Sequence, residues 1–341
     1  MQKIIFIVPY YGRFPDYFNE WLYTASFLGK QRIDFLLVTD IEIGFDLPEN
    51  FKVFKITFAD LKAKFSAKLG FEVSLERPYK LCDFKPAFGF IFDEYISQYD
   101  FWGHCDVDLL WGDVGKFITD DVLSNYDKIQ YLGHFVLYRN KQDINTLFMR
   151  KGGKFNYRTV FTSNLSYSFD EHPGMMMIAQ KNGVKTFVEI NQADVSPIFS
   201  RIKISRVKNY DYQIIYWENG AVKRAYINED GKIETDEFMY VHFQRRNLKM
   251  SGVLEREKCI LVLPSEFKCI DKSDITKDFI ISNSMFCGFD GDKKDAKAYK
   301  KNRIKGFLSS SVKEKIIAYK INRASMAVNK KIIKGSDDKN K

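Results

Sequence analysis

Apolar and polar positions in the first part of the chain follow an alternation of strands and helices. Residues 3–8 (KIIFIV) form a continuous apolar run rich in β-branched side chains, which is typical of a strand buried on both faces. The loop PYYGRFP follows, and then a helical pattern at 16–28. Strand-like runs occur at 33–40 and 51–58, and the second leads into a helix from about 60 to 69. Strands that alternate with helices predict the largely parallel sheet of an α/β protein.

The middle of the chain predicts one longer helix and two further strands. Residues 77–96 carry apolar side chains on one helix face, with Pro86 near the first turn, where proline is tolerated. Strands are expected at 99–108 and at 128–140. Residues 150–170 are rich in Gly, Asn and Ser, which favours a loop.

The following segment predicts a β-rich addition to the α/β part. A short helix is expected at 172–183, ending at Gly183. Residues 212–243 show strand-like runs separated by turn sequences at 218–220 and 229–231, which predicts antiparallel hairpins. We therefore expect a mixed α/β fold that carries a β-hairpin add-on.

The composition is that of a folded protein with reduced thiols. Hydrophobic residues make up 45% of the chain and aromatic residues 16%. No apolar run approaches the roughly 20 residues that span a bilayer, and the N-terminal apolar run, which lacks a cleavage site, is interpreted as a strand. The five cysteines are an odd number without a C-x-x-C pair, which argues against a disulfide framework or a zinc knuckle. A cytoplasmic location is therefore expected.

The net charge of +9 is concentrated at the C-terminal end. Residues 292–341 carry a net charge of +11, which leaves −2 for residues 1–291. Within this tail, 304–334 mixes isoleucines with lysines as a basic amphipathic helix would, which suits peripheral contact with an anionic membrane at its inner, cytoplasmic face. A soluble charged or disordered end is the alternative. Nucleic acid is not expected as a partner, because the basic charge lies at the end and the aromatic residues lie in core-like runs.

Two carboxylates stand one residue apart in FWGHCDVDLLWGDV (101–114). In an extended chain, Asp106 and Asp108 point to the same side. Two converging carboxylates repel unless a cation lies between them, and hard divalent ions prefer oxygen ligands. The pair is therefore interpreted as half of a metal site, with two solvated turn acids as the alternative.

The layout of these motifs resembles a known class of enzyme. The P-Y-Y-G loop after the first strand, the V-T-D strand end and the aromatic strand ending in D-x-D resemble the nucleotide-sugar-dependent glycosyltransferases of the GT-A fold. More narrowly, YKLCDFKPAFGFIF, FWGHCDVDLLWGD and the later HFQRR resemble a bacterial group found with enzymes of capsular polysaccharide and other surface polysaccharides, such as lipopolysaccharide.

The resemblance covers about residues 1–250 and implies a domain layout. It implies a Rossmann-like mixed sheet flanked by helices, with a nucleotide-sugar half at about 1–115 and an acceptor half at about 116–250. Residues 251–341 are then a C-terminal extension, with the basic tail from about 292.

The resemblance also implies a metal-dependent reaction. Mn²⁺ or Mg²⁺ held at Asp106 and Asp108 would bind the diphosphate of the donor, with Asp108 as the main ligand. His242 of the H-F motif is a candidate third ligand, and a structural or substrate-binding histidine is the alternative. Asp170 or Glu171 is a candidate base that takes the proton of the acceptor hydroxyl if the reaction inverts the anomeric centre. His104 and His134 each follow a glycine and stand beside apolar strand residues. From this local sequence, both are expected to be buried core histidines.

Further residues are candidates for contact with the donor. The loop after the first strand and the end of the second would contact the base and ribose, while lysines, arginines and a helix start attract phosphate. An ordinary loop and a solvated helix face are the alternatives. The candidates are Pro9, Tyr10, Tyr11, Arg13, Asp40, Lys80, Asp83, Lys85, Arg245 and Lys249.

The implied function is a hexosyltransferase that moves a sugar from a nucleotide-sugar, with a UDP-sugar as first choice, to a hydroxyl of a bacterial surface polysaccharide or lipid-linked glycan. Two alternatives stay open. One is a nucleic-acid-binding protein that uses the basic tail. The other is a metal-dependent phosphodiesterase or nucleotidyltransferase, which also uses paired aspartates.

Overall fold

The computed structural model describes residues 2–337 except 245, 247 and 287, and it describes the side chains of these residues except 289 and 325–337. The strands are β1 Ile4–Pro9, β2 Ile33–Thr39, β3 Phe51–Lys55, β4 Phe101–Cys105, β5 Leu109–Trp111, β6 Lys128–Leu132, β7 Phe135–Arg139, β8 Thr186–Phe187, β9 Ala193–Asp194, β10 Gln213–Glu218, β11 Ala221–Ile227, β12 Ile233–Phe238, β13 Tyr240–His242, β14 Met250–Ser251, β15 Cys259–Val262 and β16 Phe267–Ile270. The α-helices are α1 Phe18–Ser26, α2 Phe58–Leu69, α3 Leu81–Phe84, α4 Phe88–Ile91, α5 Asp93–Ile96, α6 Val114–Phe117, α7 Asp120–Asn125, α8 Gln142–Asn145, α9 Tyr157–Phe161, α10 Met177–Lys181, α11 Lys277–Asn283, α12 Gly288–Ser309 and α13 Val312–Asp337.

A seven-stranded mixed sheet in the order β3-β2-β1-β4-β7-β6-β8 forms the centre of the molecule. Strands β3, β2, β1 and β4 are parallel, and β7 runs antiparallel to β4. Side chains of β1 alternate between two cores: Ile5 and Ile7 pack on one face, and Phe6 and Val8 on the other. Burial on both faces explains why this strand is a continuous apolar run.

The segment 128–140, predicted as one strand, is the hairpin β6–β7. The two strands pair antiparallel with a register shift between Ile129 and Leu132, and Gln130 adopts a positive φ of 63°. The prediction was wrong because an apolar run does not reveal a turn, and here the turn is only Gly133 and His134. The hairpin places these two residues beside the end of β4.

The helix predicted at 77–96 is a chain of short helical pieces. Helices α3, α4 and α5 are separated by a 3₁₀ turn at Lys85–Ala87 and by Phe92, which has a φ of −111°. Proline has no N–H to continue the helical hydrogen bonds, and Pro86 stands in the middle of this segment. The break leaves Lys85 buried at the turn.

Two further segments differ from the secondary structure predicted for them. The loop predicted at 150–170 contains the short helix α9, which Asn156 caps through a hydrogen bond from Arg158 N–H. The helix predicted at 172–183 begins as a π-helical turn at His172–Met176 and continues as α10 to Lys181.

A six-stranded sheet in the order β12-β11-β10-β15-β16-β14 forms a second layer. Strands β10, β11 and β12 make two antiparallel hairpins, whose turns lie at 219–220 and 228–232. Strand β15 pairs with β10, so this sheet continues across the domain boundary predicted at residue 250.

A small three-stranded sheet, in the order β5-β13-β9, positions the candidate site. In its register His242 lies opposite Leu109 on one side and opposite Asp194 on the other. Three segments distant in the sequence therefore meet at His242. No helix in the described part of the chain combines the length and the apolar content needed to cross a membrane.

Candidate functional site

Two aspartates and a histidine converge where β4 ends. Asp106 and Asp108 lie in the short connection between β4 and β5, and His242 is the last residue of β13. One ligand atom from each of the three lies within 4.8 Å of the others, and His242 Nε2 is 3.4 Å from Asp108 Oδ1. Two carboxylates and one imidazole are a donor set that suits a divalent cation such as Mn²⁺.

The other nitrogen of His242 is held by a carboxylate that the sequence did not single out. His242 Nδ1 lies 2.9 Å from Asp194 Oδ1, which also accepts a hydrogen bond from Gln244 Nε2 at 2.6 Å. Burial lowers the pKa of His242, but the hydrogen bonds with Asp108 and Asp194 outweigh it and raise that pKa to about 10. Asp194 stands in QADVSP, and no spacing marks it, because its position depends on the pairing of β9 with β13.

A second histidine packs against His242. The rings of His134 and His242 are stacked with centroids 4.1 Å apart, and His134 Nδ1 lies 2.9 Å from the Tyr240 hydroxyl. Burial holds the pKa of His134 well below its usual value, so this ring stays neutral. His134, Asp194 and His242 form a second group of ligand atoms within 4.8 Å of one another.

Lys85 links the aspartate pair to the buried acid Asp170. Its Nζ donates to Asp106 Oδ1 at 2.5 Å and to the Gly133 carbonyl at 2.9 Å, and lies 3.9 Å from Asp170 Oδ2. Burial lowers the pKa of Lys85, but Asp106 and Asp170 raise it well above its usual value, so the lysine is charged. Burial raises the pKa of Asp170, which Lys85 opposes, and burial also raises the pKa of Glu171.

Two cavities meet at the aspartate pair. Lys85, Asp106 and Asp108 line both a cavity of about 230 Å³ and a neighbouring cavity of about 380 Å³. Of the predicted residues, the smaller cavity adds Asp83, Asp170, Glu171 and His242 to its lining, and the larger adds Pro9, Tyr10 and Tyr11. Tyr17 and Tyr79, which the sequence did not single out, also line the larger cavity.

The remaining predicted residues lie elsewhere. Arg13 is exposed and pairs with Asp16 at 2.9 Å, and Asp40 is exposed at the end of β2. Lys249 lines a separate cavity of about 920 Å³ that also contains Asp16. Arg245 lies outside the described residues.

Lys80 and Asp83 form a buried pair, so the alternative of a solvated face does not hold for them. Lys80 Nζ donates to Asp83 Oδ2 at 2.8 Å and to the Leu165 carbonyl at 2.6 Å. Asp83 also accepts hydrogen bonds from the backbone N–H groups of Tyr167 and Phe169. The pair therefore anchors the segment that leads to Asp170 and Glu171.

Comparison with known proteins assigns the chain to a family. A family model described as a family of unknown function, DUF6625, matches residues 6–271, and the protein belongs to this family. A comparison with curated proteins gives no match.

Solved structures with some likeness include two of LgtC. One is the galactosyltransferase LgtC in complex with donor and acceptor sugar analogs, which is 11% identical; the alignment covers 57% of this chain and 76% of that chain with a TM-score of 0.32. The other is an active-site mutant of LgtC, 10% identical, covering 57% and 75% with a TM-score of 0.31. Likeness at this level carries no argument about the present chain.

Proposed function

We propose that this protein is a metal-dependent glycosyltransferase of the GT-A type. It would move a hexose from a nucleotide-sugar, a UDP-sugar as first choice, to a hydroxyl of a bacterial surface polysaccharide or lipid-linked glycan. The observation that carries the proposal is the convergence of Asp106, Asp108 and His242 within 4.8 Å at the junction of two cavities.

The residues at this junction fit Mn²⁺ or Mg²⁺. Asp106 and Asp108 offer oxygen atoms, and His242 offers Nε2 because its Nδ1 is engaged by Asp194. When bound, the ion supplies the positive charge that stabilises a diphosphate as it leaves the sugar.

The chain's own groups divide the remaining tasks between the two cavities. Tyr10 and Tyr11 offer aromatic surface for a nucleotide base in the larger cavity. Lys85 holds Asp106 in place and adds a buried positive charge where a diphosphate would lie. In an inverting reaction the proton of the acceptor hydroxyl would pass to Asp170 or Glu171, whose pKa values burial raises.

The proposed partners follow from this reaction. They are a nucleotide-sugar donor and a glycan or lipid-linked acceptor, and the site would work at the cytoplasmic face of the membrane. The division into a nucleotide-sugar half at 1–115 and an acceptor half at 116–250 remains part of the proposal.

Donor binding and hydrolysis test the proposal. We expect one of a panel of UDP-, GDP- and CMP-sugars to raise the melting temperature only with Mn²⁺ and to be slowly hydrolysed. Asp108→Asn should abolish both effects in a protein that still folds cooperatively, whereas Asp211→Asn, an exposed control, should change neither.

Two results would contradict the proposal. One is an absence of stabilisation by every nucleotide-sugar, and the other is full donor hydrolysis by Asp108→Asn. Metal-dependent cleavage of phosphodiesters without sugar specificity would instead support a phosphodiesterase.

A further inference from the structure

The end of α12 and the start of α13, on either side of the turn 310–311, expose several large apolar side chains. We call this region the α12–α13 corner and define it by six residues whose exposed fractions run from 48% to 72%. They are Ile304, Phe307, Leu308, Val312, Ile316 and Tyr319. Single exposed apolar side chains are ordinary, but a cluster of six along one turn marks a contact surface.

The corner is a defined structure because α13 is capped where it begins. Glu314 N–H donates to Ser311 Oγ at 3.3 Å, and Ser311 N–H donates to Glu314 Oε2 at 2.6 Å. This reciprocal pair is a capping box, which fixes the first turn of a helix. The cap fixes the start of α13, and Lys315 Nζ, which donates to the Leu308 carbonyl, links this start to the end of α12.

The opposite face of α13 packs on the protein. Ile317 and Ala324 are buried, and Ile321 packs against the same core. These residues follow one another at helical spacing, whereas Ile316 and Tyr319 lie on the exposed face. The buried face of α13 already attaches this helix to the protein. The exposed apolar side chains of the corner are therefore not part of the hydrophobic core.

Basic residues are frequent in the sequence of the corner. Residues 300–320 contain seven lysines and arginines and a single acid, Glu314. Lys315 Nζ lies 5.7 Å from the centre of the Phe307 ring and donates to the Leu308 carbonyl. Exposed apolar side chains interspersed with basic residues match an anionic bilayer, whose interior takes the apolar side chains and whose headgroups take the charges.

The corner belongs to an element that adjoins the candidate site. Helix α13 packs against the π-helical turn His172–Met176, which directly follows Asp170 and Glu171. The helix that begins at the corner therefore also contacts the segment that follows Asp170 and Glu171.

We propose that the α12–α13 corner docks the protein on a bilayer containing anionic lipid. The role of this docking, which is to bring the candidate site to a lipid-linked acceptor, rests on the proposed function. The binding itself does not. Phe307 and Leu308 enter the interface, and Lys305 and its neighbours contact the headgroups.

Vesicle sedimentation with the whole chain of 341 residues tests the inference without any donor. We expect binding to vesicles of phosphatidylglycerol and phosphatidylcholine and none to phosphatidylcholine alone. Replacing both Phe307 and Leu308 by Ser should weaken binding about tenfold or more. Lys305→Gln should weaken it about fivefold and make it less sensitive to salt.

Two control variants distinguish binding through the corner from non-specific adsorption to the vesicles. Val253→Ser, which removes a side chain that is 81% exposed elsewhere, and Lys181→Gln should bind as the wild type does. Equal binding by the Phe307/Leu308 variant, equal binding to neutral vesicles, or salt-sensitive binding to DNA in preference to vesicles would overturn the inference. Because nucleotide-sugar binding is measured separately, failure here leaves the proposed reaction standing.

Discussion

His242 and Asp194 are joined by a hydrogen bond of 2.9 Å between Nδ1 and Oδ1, across the paired strands β13 and β9. The bond fixes the ring so that Nε2 faces Asp108. A carboxylate behind a metal-binding histidine orients the ring and increases its basicity. On this account Asp194 positions His242 and does not itself contact the donor.

Asp194→Asn should weaken Mn²⁺ binding about ten- to a hundredfold, the usual effect of losing such a partner. Isothermal titration of Mn²⁺ measures it, with Asp211→Asn as the control. Unchanged Mn²⁺ affinity in a folded Asp194→Asn protein would show that the histidine needs no orientation from Asp194.

Lys85→Met should destabilise the fold by about 3 to 5 kcal/mol, because it leaves Asp106 and Asp170 without their shared buried cation. Urea unfolding measures the change. At the surface, Lys62 forms an ion pair of similar length, 2.7 Å, with Glu76. Lys62→Met should therefore leave the midpoint of urea unfolding unchanged. Equal effects of the two substitutions would contradict the role given to Lys85.

Lys128 should make stability depend on pH. Burial lowers its pKa to about 7 from the usual 10.5, which the nearby charge of Asp170 opposes. Between these values the unfolded chain binds a proton on Lys128 that the folded chain has lost, so stability rises with pH.

The comparison of wild type with Lys128→Met isolates this effect. From about pH 7 to about pH 9 the free energy of unfolding of the wild type should rise relative to the variant by about 1.4 kcal/mol per pH unit. Urea titrations across this range measure it. Parallel curves would mean that Lys128 keeps its ordinary pKa in the fold.

The pattern of apolar residues along the chain correctly predicted the strands that are buried along nearly their whole length. The continuous apolar run of β1 and the strand-like pattern of β2 are visible in sequence because both strands are buried within the central sheet. The hairpin β6–β7 was not predicted, because its two-residue turn offers only Gly133 as a signal, and a single glycine inside an apolar run is also compatible with a continuous strand.

The same limit applies to the candidate site. Asp106 and Asp108 could be selected because a single residue separates them at one strand end, and His242 because of the motif around it. Asp194 could not be selected, since its role depends on the register of β9 with β13. The burial of Lys80 also depends on a distant segment, because the Leu165 carbonyl is one of its partners.

The central claim is that Asp106, Asp108 and His242 hold a divalent cation. Crystals grown with Mn²⁺ and UDP, measured at the manganese absorption edge, test it most directly. We expect one anomalous peak within coordination distance of Asp108 and of His242 Nε2, with the diphosphate beside it. A peak at any other residues, or a bound UDP with no manganese at this cluster, would contradict it.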